Sequence, residues 1–134
     1  MLKPSINIYG GKCAEAMDLY CKAFGATVNS VSYNREAPDF VASDRNDGNS
    51  VMHASVTILG IEVEMFDGHA ESPEQGNTLG LHAFFDTGDE VCRAFEILKE
   101  GAQTDQGPRP EWWSAMYTDL TDRYGIVWTL MVKY

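Results

Sequence analysis

The chain has 134 residues, 44% of them apolar, with 20 acidic and 10 basic side chains for a formal charge of −10. That length makes one domain, ordinary in apolar content and able to bury about two-thirds of its unfolded surface. No apolar run approaches the ~20 residues of a membrane helix, MLKPSINIYGGK has no signal-peptide core, and the acidic surface repels nucleic acid and anionic lipid while tolerating cationic ligands.

The cytoplasm is therefore the expected compartment. The three cysteines, Cys13, Cys21 and Cys92, cannot all pair with one another, and none lies in a CxxC pattern. They read as reduced structural residues that act as small hydrophobes.

Ser5 to Tyr9 reads as a short strand ending at Gly10-Gly11. A helix follows from about Lys12 to Phe24, because Cys13, Met17, Tyr20, Cys21 and Phe24 recur at helical spacing. Gly25 stops it by adopting positive φ at little cost. Ala26 to Tyr33, rich in valine and serine, is a second strand. Asn34 to Asn49 is polar, interrupted by Pro38 and aperiodic, and reads as a mobile loop. Ser50 to Ile58 and Ile61 to Phe66 form a hairpin about Leu59-Gly60. Asp67 to Thr78, rich in Gly, Pro, Ser and Asn, is a second loop.

Leu79 to Phe85 begins the second half as a strand. Asp86 to Asp89 supplies capping side chains to a helix whose buried stripe is Val91, Cys92, Phe95 and Leu98, ended by Gly101. Ala102 to Asp105 is predicted as a short strand and Gly107, Pro108 and Pro110 as a loop. Trp112 to Leu120 and Ile126 to Val132 form a hairpin across Thr121 to Gly125. The order βαβββ therefore occurs twice, and Asn7 to Ala26 repeats as His82 to Ala102. The predicted class is α+β: one domain over 1–134, with module 1 at about 1–68 and module 2 at about 79–134. A cleft between pseudo-symmetric halves makes a small-molecule site plausible.

The order and the stretches GGKCAEAMDLYCKAFGA, VMHASVTILGIEVEMFD and WWSAMYTDLTDRYGIVWTL resemble the vicinal oxygen chelate superfamily. That group includes glyoxalase I, extradiol dioxygenases, fosfomycin- and bleomycin-resistance proteins and methylmalonyl-CoA epimerase. The PhnB-like branch is the nearer likeness. The resemblance implies a curved mixed sheet with helices on its convex side, a homodimer, and a divalent metal held by residues from the first and last strands of each module. Fold alone does not fix the activity.

Aligning Glu15 on Glu90 and Tyr20 on Phe95 puts Asn7 opposite His82. Aligning GIEVEMF with GIVWTLM puts Glu64 opposite Thr129. The implied corners are then Asn7, Glu64, His82 and Thr129. Glu64 and His82 suit a divalent metal. The Asn7 amide is a weak neutral ligand, and the Thr129 hydroxyl stays protonated near neutral pH. His82, between Leu81 and Ala83, fits equally an alternating strand with a hydrogen-bonded histidine. Glu64, between Val63 and Met65, must face water, a partner or a pocket, and Glu62 shares its face.

His53, in the VMHAS stretch, is a pocket-lining residue or a cross-strand donor, and its ordinary pKa of about 6.5 suits proton transfer. Adjacent Trp112 and Trp113 in a strand face opposite sides. One packs beneath the helix, and the other lines the cleft or a subunit boundary with Tyr117. Trp128 reads as core. Asp122 suits a turn, bonding following backbone N–H groups, and Asp119 is given no catalytic role. GxGxxG, P-loop, HExxH and GxSxG motifs are absent, so a methyltransferase reading has no nucleotide-binding motif behind it.

Two functions follow. One is a binding protein that encloses a small aromatic or cationic molecule through His53, Trp113, Tyr117, Asn7 and Thr129. The other is a lyase, isomerase or dioxygenase whose metal, on Glu64 and His82, chelates adjacent substrate oxygens as a Lewis acid. In that second case Glu64 or His53 moves a proton. Asn7 and Thr129, where strong ligands belong, favour the first, and no catalytic residue is assigned.

Overall fold

The computed structural model describes residues 1–44, 47–68, 76 and 79–133. Eight strands and two helices alternate as expected: β1 (Ser5–Ile8), α1 (Cys13–Phe24), β2 (Thr27–Tyr33), β3 (Val51–Ile58), β4 (Ile61–Asp67), β5 (Leu81–Phe85), α2 (Gly88–Leu98), β6 (Arg109–Glu111), β7 (Ser114–Thr121) and β8 (Val127–Val132). They form two four-stranded mixed sheets, ordered β1-β4-β3-β2 and β5-β8-β7-β6. Each sheet pairs its first strand parallel to its last and the rest antiparallel. The repeated βαβββ unit is thus present with the same strand order in both copies. Two compact units result, one of Met1–Cys21 with Gly25–Pro73, the other of Lys22–Phe24 with Glu74–Tyr134.

In the first unit, alternation separates two faces. Ile6 and Ile8 of β1, Ala54, Val56 and Ile58 of β3, and Val63 and Met65 of β4 are buried. The intervening residues Ser5, Asn7, His53, Glu62 and Glu64 point the other way, which makes a polar face. α1 buries Cys13, Ala16, Met17, Leu19, Tyr20, Ala23 and Phe24, the residues that recur along one side. Its N-terminus lacks a cap from Lys12. Asp67, at the end of β4, substitutes: one oxygen accepts from Cys13 N at 2.9 Å and the other from Val51 N at 2.8 Å. A carboxylate there also complements the helix dipole. Gly25, at φ 64°, closes the helix.

The β3–β4 connection is a two-residue turn in which Leu59 (φ 47°) and Gly60 (φ 87°) both have positive φ, as the tight hairpin twist requires. Between β2 and β3 the chain expected to be a mobile loop forms a 3-10 turn at Asn34–Glu36. Backbone bonds from Asn34 N to Ser50 O and Arg35 N to Gly48 O tie its two ends, and Arg35 lies over the Tyr33 ring. The second expected loop, Asp67 to Thr78, lies mostly outside the described residues; Asp67 itself ends β4.

In the second unit α2 packs on β5, β7 and β8 through Val91, Ala94, Phe95 and Leu98. Thr87 caps it. Its hydroxyl accepts from Glu90 N while the Glu90 carboxylate accepts from Thr87 N at 2.9 Å, a reciprocal box. Trp128 is core, 3% exposed, and its ring lies 4.8 Å from that of Phe24, tilted by 45°. Asp122 binds the turn as expected and does more: it accepts from Tyr124 N, Ile126 N and the buried Trp128 Nε1.

Three expectations for this half are corrected. Ala102–Asp105 is not a strand; only Gln103 bridges Thr121. The fourth strand is Arg109–Glu111, which the prolines made look like loop. It lies at the sheet edge, where the missing N–H of Pro110 costs no ladder bond. Trp112 and Trp113 do not alternate within a strand. They form the tight turn between β6 and β7, with Trp112 91% exposed and Trp113 half-buried.

Candidate functional site

The polar face of the first unit is a connected network. Ser5 pairs with Glu64 across β1 and β4, and Ser55 pairs with Glu64 across β3 and β4. His53 Nε2 contacts Glu64 Oε2. Lys3 Nζ donates to Glu62 Oε1 at 2.7 Å and to Glu64 Oε1 at 3.5 Å. The Ser55 hydroxyl donates to Glu62 Oε1 at 2.7 Å. Asn29, the extra residue of a bulge in β2, turns its amide to Ser55 Oγ at 3.2 Å and Thr57 Oγ1 at 2.9 Å. The Lys3 hydrogen bond, then Ser55, hold the Glu62 carboxyl below its usual range; the same bond raises the Lys3 ammonium.

The face of the second unit away from α2 differs. His82 is the ladder partner of Thr129, and Thr129 of Asp119. The Tyr117 hydroxyl donates to Asp119 Oδ2 at 3.2 Å. Burial first, then the Asp119 charge, push the Tyr117 phenol up. Trp113 meets Tyr117 edge-on at 5.3 Å, and the Arg109 guanidinium lies 5.5 Å from the Tyr117 ring while its Nε donates to Glu111. Asp119, the hydrogen-bond partner of Tyr117, lines an open depression of about 430 Å³. Gln103, Thr104 and Asp105 line one side; Asp119, Leu120, Thr121, Val127 and Thr129 line the other. Its side-chain polar groups are two carboxylates, three hydroxyls and one amide.

The structure brings Glu64 and His53 together, His82 and Thr129 together, and Trp113 and Tyr117 together. Asn7 is exposed on β1 opposite Phe66. The ladder registers correct the internal alignment. Glu64 pairs with Ser5 in one unit, and Thr129, its counterpart, pairs with His82 in the other. Ser5, not Asn7, therefore stands at the position of His82. The two-residue slip arises in the loop after the first strand, which has four residues, Tyr9–Lys12, where the second copy has two. Sequence reasoning also missed Lys3, Ser55, Asn29, Arg109 and the Gln103–Asp105 wall. Glu62 and Glu64 on one face were the available signal that a cation was needed there.

A model of the Glyoxalase/Bleomycin resistance protein/Dioxygenase superfamily matches residues 4–130, so the chain belongs to that superfamily. Among solved structures it is similar to a putative 3-demethylubiquinone-9 3-methyltransferase, PhnB protein, from Bacillus cereus: 22% identity, 98% of each chain covered, TM-score 0.80. It is also similar to protein PA1353 from Pseudomonas aeruginosa, at 24% identity, 99% and 98% coverage and TM-score 0.80. The fosfomycin resistance protein FosX from Listeria monocytogenes, complexed with Mn(II) and sulfate, matches at 13% identity, 100% and 92% coverage and TM-score 0.64. These likenesses show the fold. No curated protein sequence matches significantly. Among the described residues, no helix is long and apolar enough to cross a membrane.

The metal that the superfamily implies does not fit this donor set. The corner positions are Ser5 and Glu64 in one unit and His82 and Thr129 in the other, each pair taken by itself. Two are alcohols that keep their protons near neutral pH, and both Glu64 oxygens already meet Lys3 and His53. Structural and catalytic sites ask for three or four good ligands. Among the described residues no group of three or more His, Cys, Asp or Glu is arranged to hold an ion.

Proposed function

We propose that this protein binds a small cationic organic molecule, as a non-catalytic member of the glyoxalase/bleomycin-resistance type. The observation that carries the reading is the second-unit cavity, about 430 Å³, whose charged lining is Asp105 and Asp119. An open depression of that volume can seat a small molecule against its wall. Its acceptors suit ammonium or guanidinium donors, and the net charge of −10 steers cations toward the protein. Tyr117, bonded to Asp119 and meeting Trp113 edge-on, would add ring surface to a cation held at that carboxylate. Thr129 contributes a hydroxyl at the rim of the depression, while Asn7 and His53 offer hydrogen bonds on the polar face of the first unit. Glu64 and His82 act in this reading as polar contacts and not as metal ligands. The protein works as a homodimer in the cytoplasm.

The test is a thermal-shift and tryptophan-fluorescence screen of amines, guanidines and aromatic cations beside neutral and anionic isosteres. A cation at 100 times its Kd should stabilise the fold by about 2.7 kcal/mol. Asp119→Asn and Trp113→Ala should each weaken binding about tenfold or more. Equal binding of anions, or indifference to both substitutions, refutes the reading. Stoichiometric metal in untagged protein, lost in a Glu64→Ala/His82→Ala double variant, would favour the metal-dependent enzyme instead.

A further inference from the structure

We infer that Lys3 is a built-in cation that stands in for a divalent metal at Glu64. This concerns the first unit alone and does not depend on the ligand proposed above. Lys3 is held in place by more than its side chain. The Glu64 N–H donates to Pro4 O at 2.9 Å, and Ser5 pairs with Glu64 in the ladder. The chain just before β1 is thereby fastened beside Glu64. From there the ammonium reaches both Glu62 Oε1 at 2.7 Å and Glu64 Oε1 at 3.5 Å.

The surrounding hydrogen bonds complete the substitution. Glu64 Oε1 faces an ammonium, and Glu64 Oε2 faces the His53 imidazole. Glu62 Oε1 receives Lys3 and the Ser55 hydroxyl, and Ser55 is itself supported by Asn29. A divalent ion entering here would have to displace an ammonium that lies between two carboxylates, and would meet its repulsion if it did not. His53 would also have to give up Glu64 to become a ligand. Lys3 thus occupies the space between Glu62 and Glu64 in which an exogenous ion would sit.

The test is equilibrium dialysis against Mn²⁺, Ni²⁺ and Zn²⁺, using protein purified without a histidine tag. The variants are Lys3→Met, Lys3→Gln, Lys3→Arg and Lys3→Met/Glu64→Gln, each checked for folding by circular dichroism. Wild type and Lys3→Arg should take up no stoichiometric ion through Glu64. Lys3→Met or Lys3→Gln should bind about tenfold more tightly than wild type, the order of effect expected when a neighbour of a ligand is changed. The added Glu64→Gln substitution should abolish the gain. Glu64-dependent stoichiometric metal in wild type overturns the inference. So does an unchanged, weak affinity in folded Lys3→Met and Lys3→Gln, because Lys3 is then not what excludes the ion.

Discussion

Asp122 is expected to be the most costly polar truncation in the second unit, because one carboxylate organises the turn that sets the cavity wall. Its side chain is 3% exposed. Oδ1 accepts from Tyr124 N at 2.9 Å and Ile126 N at 3.0 Å, and Oδ2 accepts from Trp128 Nε1 at 2.9 Å. In Asp122→Ala the two amides sit in a turn that water can reach. The Trp128 N–H is left buried without its partner, at about 1–3 kcal/mol. Loss of the two charge-assisted turn bonds adds a further ~1–2 kcal/mol, so ~2–5 kcal/mol in all is expected. Trp128→Phe removes the orphaned donor. The double variant Asp122→Ala/Trp128→Phe should then be more stable than additivity predicts by about 1–2 kcal/mol. Urea unfolding monitored by circular dichroism measures all four corners of the cycle, with m held constant as the check on two-state behaviour. A loss under about 0.5 kcal/mol for Asp122→Ala, or a coupling near zero, would show that the indole bond does not hold the turn.

Other consequences are smaller. Leu59 adopts φ 47°, a region costly for a branched-chain residue; Leu59→Asn should raise stability by about 0.5–1 kcal/mol in the same assay. Thr87→Ala removes the capping box of α2 and should cost about 1 kcal/mol. Cys13, whose thiol burial and then Asp67 push up to about 12, should resist iodoacetamide at pH 8 while Cys21 and Cys92 react. The sign of the linkage follows. The folded state holds the Cys13 proton that the unfolded chain releases from the thiol's ordinary value of 9.0 upward. This contribution is whole below that value, and stability should fall by about 1.4 kcal/mol per pH unit as pH rises toward 12. Cys13→Ala should flatten that slope, and an unchanged slope would count against the assignment.

The strands and helices that carry strong local signals were legible from residue order alone. Alternation in GIEVEMF, the helical stripe through Met17, Tyr20 and Phe24, and the positive-φ turn at Leu59-Gly60 each act over a few residues, and each appears where the pattern put it. β6 was not legible. A three-residue edge strand through Pro110 has too few residues to show a period, and its proline is harmless only because the strand lies at an edge. The tryptophan pair misled for a related reason: a two-residue turn made of large aromatics carries none of the usual Gly or Asn punctuation. The corner alignment slipped because helix periodicity is silent about the length of the preceding loop. Lys3 was invisible as a site residue, since its carboxylate partners lie 59 and 61 residues away.

The duplicated architecture explains why the two polar faces have diverged in chemistry while keeping strand order. Both units place a strand-end residue beside its partner in a parallel ladder, Ser5 with Glu64 and His82 with Thr129. Backbone bonds fix that pairing whatever the side chains are. The same scaffold bond recurs after each last strand, from Gly68 N to Ile8 O and from Lys133 N to Phe85 O. Side chains on the polar face are free of that constraint, because packing binds only the alternate residues, such as Val63 and Met65 or Trp128 and Leu130. One copy has accumulated two carboxylates with a lysine between them. The other has accumulated aromatic rings and an acid-lined cavity. A replacement on either face should therefore alter ligand or ion affinity far more than stability. A replacement of the alternate residues should do the reverse: Met65→Ala should cost about 2–5 kcal/mol, whereas Thr129→Ser should cost under about 0.5.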